Sequence, residues 1–149
     1  MFQLRSSLLL VVLLGAAVLG LSACGGSKKA APTKSEFLHA SSAICKQTNG
    51  KLAAAGGSFF SGSGGATKTE ADFIKQKVHP IFEGALNRIG GLGAPQGDED
   101  QVKAILAAGH AALDKIQAHP MLLRADPGSP QDPFKDFGRL GQAYGITCG

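Results

Sequence analysis

From residue 35 onward, apolar side chains recur at intervals of three and four residues, and no run alternates apolar with polar. That period belongs to one face of an α-helix and excludes half-buried strands, so the chain must bury its apolar surface helix against helix. Leu38, Ser41, Cys45, Thr48 and Leu52 set the first stripe, widened by Phe37 and Ile44. They predict a helix over about 35–55, opened by a capping box at Thr33-x-x-Glu36 and stopped by Gly56-Gly57. Ile74, Val78, Ile81, Ala85, Ile89 and Leu92 predict a second helix over about 70–92, capped by Thr67-x-x-Glu70 or Thr69-x-x-Asp72. Pro80 lies inside it, removes one backbone donor and crowds the carbonyl four residues back, so a kink or break is expected at 77–80. Val102, Ile105, Leu106, Leu113 and Ile116 mark a third helix over about 99–118, with Asp98 as its N-cap. A short fourth helix starts at Asp132-Pro133 and carries Phe134, Phe137, Leu140 and Tyr144 on one side. Gly145-Ile146 ends it as a Schellman stop. The expected fold is all-α: a small antiparallel bundle of about four helices.

The N-terminus has a different character. Arg5 precedes an apolar, uncharged run from Leu8 to Leu21, which is short for a membrane span of about 20 residues and has the layout of a secretory signal. The run ends in Leu21-Ser22-Ala23-Cys24, and here the chain resembles bacterial lipoproteins, whose lipobox it matches at all four positions. The resemblance implies that the Cys24 thiol takes a diacylglyceryl group, that a peptidase cuts between Ala23 and Cys24, and that two or three acyl chains of the palmitate kind hold the product. One chain alone gives only marginal membrane binding. The expected organisation is a signal peptide over 1–23, a lipidated Gly/Ser/Lys/Ala/Pro tether over 24–34 and a helical domain over 35–149. The other reading of the run, an uncleaved N-terminal helix, also exports and tethers the domain. Either way the expected place is the extracytoplasmic face of the cell membrane.

With Cys24 taken as the lipid carrier, Cys45 and Cys148 remain, and two leftover cysteines in an exported protein are expected to pair. The bundle would then be stapled by one disulfide. A further resemblance, to small exported lipoproteins of high-GC actinobacteria, rests on Ala43-Ile44-Cys45, the proline in the second helix and the ending Tyr144-Gly145-Ile146-Thr147-Cys148-Gly149. It implies the same fold and cysteine pair and carries no active site.

Charge narrows the partners. The whole chain has 15 Lys+Arg against 11 Asp+Glu. Arg5, Lys28, Lys29 and Lys34 account for four of the cations, which leaves 15 − 4 = 11 against 11 from Ser35 onward. The domain is formally neutral, so no nucleic-acid partner is expected despite the basic pI. Lys28 and Lys29 sit beside the anchor, where they either touch anionic head groups or merely keep the tether soluble.

Catalytic and metal patterns are not found in the sequence. His39, His79, His110 and His119 form no H-x-x-x-H pair, and neither G-x-S-x-G nor S-x-x-K occurs. No cofactor, metal site or enzyme activity is expected. The alternative, an envelope or cell-wall hydrolase, would require two or three of His79, Glu83, His110 and Asp114 to converge. Phe59-Phe60, placed in a Gly/Ser loop over 56–68, is a possible contact with lipid or partner, or else a lid on the helices. The expected function is that of a lipid-anchored binding or structural module of the envelope, with an unknown protein or a small apolar ligand as its partner.

Overall fold

A computed structural model describes residues 30–60 and 67–148, with side chains at 30–56 and 70–148. The signal, Cys24, the cleavage point at Ala23 and the lysines at 28 and 29 lie outside the described residues. The elements are α1 (Lys34–Phe60), α2 (Thr67–Phe73), a π-helical turn (Ile74–Val78), α3 (His79–Gly90), α4 (Glu99–Ala118), a 3-10 turn (Pro120–Arg124) and α5 (Lys135–Tyr144). With α2, the π turn and α3 counted as one bent rod, four helices make the bundle, and no strand occurs among the described residues.

The local signals act largely as written. The Thr33 N–H donates to Glu36 Oε2 at 2.8 Å, and the Glu36 N–H donates back to Thr33 Oγ1 at 3.2 Å. This reciprocal box satisfies two of the helix's free donors. The bonds with Thr33 also hold the Glu36 carboxyl below its usual range. At the other end of the domain Gly145 takes φ 105°, its N–H bonds Gln142 O, and the Ile146 N–H bonds Gly141 O at 2.9 Å. That is the Schellman arrangement, with Ile146 buried behind it.

Four expectations need correction. Gly56-Gly57 does not stop α1, which continues through Phe60. Glycine ends a helix by turning left-handed, and Gly56 is instead buried within it, beside Leu52 and Phe73. Phe59 and Phe60 therefore belong to helical backbone rather than to a loop, and their side chains lie outside the described residues. The irregularity expected at 77–80 is the π turn at Ile74–Val78, which overlaps that span but begins three residues before it. Widening that turn removes the carbonyl that the proline ring would strike, and Pro80 then sits in the first turn of α3, where no N–H is needed. Asp132 is not the N-cap of α5. Phe134 is, while Asp132 closes the preceding loop by accepting from the Gly128 and Phe134 N–H groups at 2.7 and 2.8 Å. Asp98 does stand at the N-cap of α4, but its carboxylate makes no capping bond. It accepts from Tyr144 Oη at 2.7 Å and meets Lys34 Nζ at 3.5 Å, with the ammonium 4.3 Å above the Tyr144 ring. A buried phenol needs a partner more than an exposed helix start does. This unit joins the beginnings of α1 and α4 to the end of α5.

Packing runs in order: α1 on α3, α3 on α4, α4 on α5. Phe37, Ile44, Ile89, Val102, Ile105, Tyr144 and Ile146 form the main core, and Ile74, Val78 and Ile116 a second one around the π turn. Gly109 permits the closest approach, since a β-carbon there would lie 2.7 Å from Leu86 Cδ2 and 3.1 Å from Phe137 Cδ2. Cys45 and Cys148 are disulfide-bonded, with Cα atoms 4.9 Å apart. Asn49 Nδ2 donates to Cys148 O, which lays the last residues along α1.

The two inward hydroxyls of α1 differ. Thr48 Oγ1 donates to Ile44 O one turn back at 2.8 Å. Ser41 is wholly buried and its Oγ has no hydrogen-bond partner. Ser41→Ala is therefore expected to raise stability by about 1 kcal/mol, the cost of an unsatisfied hydroxyl being removed. Urea denaturation will read this as a higher midpoint with an unchanged slope, and a lower midpoint would mean the hydroxyl is bonded in solution.

Candidate functional site

The helices do not fill the space between them completely. One cavity of about 270 Å³ lies between α1, α3 and α5. Phe82, Leu86, Ile89, Phe134 and Phe137 line it, and the Cys45–Cys148 disulfide closes one side. Its aromatic wall is ordered: the Phe82 and Phe134 rings are 4.9 Å apart, and Phe134 meets Phe137 edge-on at 6.2 Å. Such contacts fix ring positions and keep the hollow from collapsing. Among the described residues, the only side-chain polar groups on its wall are those of Thr48, already bonded to the backbone, and Asn49, at the edge.

A second cavity of about 400 Å³ adjoins it. Leu52, Phe73, Ile74, Val78 and Leu123 line this one, and Phe82 belongs to both. The π turn supplies Ile74 and Val78, so the distortion forced by Pro80 helps to shape the hollow. Among the described residues, Glu70 and Arg124 are its only charged lining residues. Arg124 grips Glu70 through two bonds, Nε to Oε1 and Nη2 to Oε2, the latter at 2.5 Å. The Glu70 side chain is 9% exposed and that of Arg124 is 62% exposed, so the pair reaches from the apolar interior to solvent. An apolar concavity with a few converging polar groups is the usual form of a small-molecule site.

A third hollow, of about 320 Å³, lies between α4 and α5. Asp100, Gln101, Ala104 and Ala143 on its rim are exposed, so it is a surface depression.

The residues proposed for hydrolysis are not gathered. Glu83, His110 and Asp114 are exposed, His79 is half-buried, and none of them lines a cavity described above. Among the described residues no group of three or more His, Cys, Asp and Glu side chains is placed to hold a metal ion. No helix among them is long and apolar enough to cross a membrane.

Sequence reasoning missed the Glu70–Arg124 pair. In the sequence Glu70 reads as a capping residue, and nothing singles out Arg124. The weak signal is that cation itself, an arginine that ends an apolar turn. The sequence places Phe134 and Phe137 on an apolar face, but nothing in their spacing shows that they border a cavity. No protein-family model, curated protein or solved structure matches the chain.

Proposed function

We propose that the protein is a lipid-anchored helical module on the extracytoplasmic face of the cell membrane, and that its domain carries a small apolar ligand between the helices. The observation that carries the ligand is the pair of apolar cavities that share Phe82 as a lining residue. The larger, of about 400 Å³, is of the size that small ligands occupy, about 300–1,000 Å³, and the smaller, of about 270 Å³, lies just under it. The anchor rests on the lipobox Leu21-Ser22-Ala23-Cys24 and the apolar run before it. A tether of ten or so residues keeps such a domain within reach of membrane-derived molecules.

Two measurements test the two halves. Cys24→Ser is expected to abolish acyl labelling and to leave the unprocessed precursor; unchanged labelling would sink the anchor. Native mass spectrometry of the mature protein should show added mass that denaturation removes. A bare mass under gentle conditions would turn the search from a ligand to a protein partner.

A further inference from the structure

The larger cavity has one polar feature, and its charge state selects among apolar ligands. Glu70 and Arg124 neutralise each other there, and no other charged residue among the described ones lines the hollow. Two of the guanidinium's five N–H donors are spent on Glu70, and each carboxylate oxygen keeps a free lone pair. The pair therefore offers a donor and an acceptor side by side, with no net charge to balance.

We infer that this cavity takes an uncharged amphiphile, an aliphatic body with a hydroxyl head that meets the Glu70–Arg124 pair. The inference rests on the ligand-carrying function proposed above and adds the ligand's class. A hydroxyl donates to a Glu70 oxygen and accepts from a free Arg124 N–H, so it satisfies both without disturbing either. A carboxylate head would put a second anion on a guanidinium already neutralised by Glu70. An ammonium head would compete with Arg124 for Glu70. In both cases one charge of three is left without a counterion, which is costly at the Glu70 end of the pair, the end withdrawn from water. The aliphatic body would lie against Phe73, Ile74, Val78 and Leu123, with Phe82, which also lines the smaller cavity, beside it.

The test uses the mature chain in phospholipid nanodiscs, with labelled Ile, Leu and Val methyl groups followed by NMR. Decanol, decanoate and decylammonium are titrated at about pH 8, where the last two are ionised. Empty nanodiscs supply the correction for partitioning. Decanol is expected to shift the Ile74, Val78 and Leu123 methyls and to bind at least about tenfold more tightly than either charged probe. Glu70→Gln removes the neutralising charge and frees Arg124 for an anion. In that variant decanoate should gain about tenfold and overtake decanol. Decanoate binding the unaltered protein as tightly as decanol would overturn the inference and leave the carrier function standing. No methyl shift with any probe, while native spectrometry still shows a bound mass, would overturn the inference alone. No shift and no bound mass would remove both. If Glu70→Gln does not fold, the comparison of the three probes on the unaltered protein decides.

Discussion

Replacing Cys45 and Cys148 together with alanine is expected to lower the stability of the domain by about 4–5 kcal/mol. The bond joins residues 103 positions apart, so it restrains nearly the whole domain when unfolded. In the chain-entropy account a loop of that length costs the denatured chain about 4.7 kcal/mol of freedom at 25 °C. Cys45 is buried in the main core, but the chain end that Cys148 carries is held by other bonds as well. Ile146 is already seated by the Schellman bond to Gly141 O, and Asn49 holds the Cys148 carbonyl. The effect should therefore appear mainly in the unfolded state. In urea the double variant should show a lower midpoint and also a steeper slope, because an uncrosslinked chain exposes more surface on unfolding. A lower midpoint with an unchanged slope would place the stabilisation in the folded state instead. A loss below about 1 kcal/mol would mean that the closed loop adds little, as strained or redundant disulfides do.

The parts of the fold that were legible are those whose physics is local. Glu99 to Ala118 is bounded by two acidic residues at its start and by His119-Pro120 at its end, and α4 spans just that stretch. The capping box at Thr33 and Glu36 and the stop at Gly145 each involve residues within a turn of one another, so sequence spacing suffices to find them. Gly56 was misread because glycine permits a left-handed turn without requiring one, and tertiary burial decided against it. Asp98 had two uses open to it, and the phenol that outcompeted its own helix lies 46 residues away. The Glu70–Arg124 pair spans 54 residues and has no periodic signature. The cavities are still further from the sequence. Apolar stripes specify which faces meet, but whether the meeting side chains fill the space depends on volumes and rotamers at every position at once. Phe82 is recognisable as an inward residue; its place between two hollows is not.

Phe37→Ala should cost about 3–5 kcal/mol, which for a domain of this size is a large share of the total. Phe37 is 1% exposed and follows the capping box by one residue, so its ring enters the main core where α1 begins. It meets the Tyr144 ring edge-on, at 6.0 Å and 81°. Truncation opens a cavity beside that ring, and the consequence is legible spectroscopically, because Tyr144 is the chain's single tyrosine and tryptophan is absent. Burial, with the neighbouring Asp98 carboxylate, pushes the Tyr144 phenol up from 10.0 to about 12. A pKa raised by folding means that the native state is favoured below the unfolded value and loses that advantage as pH rises. The unaltered domain should thus keep its full stability up to about pH 10 and lose this contribution between there and about pH 12. In Phe37→Ala, water reaches the phenol, the tyrosinate absorbance should titrate at lower pH, and alkaline unfolding should begin earlier. Phe37→Leu, which refills much of the volume, should restore most of the stability and part of the titration shift. An unchanged titration in a destabilised Phe37→Ala would mean that Asp98, rather than the cover given by the Phe37 ring, sets the phenol's behaviour. An unchanged stability would mean that Leu38 or a neighbour collapses into the vacated space.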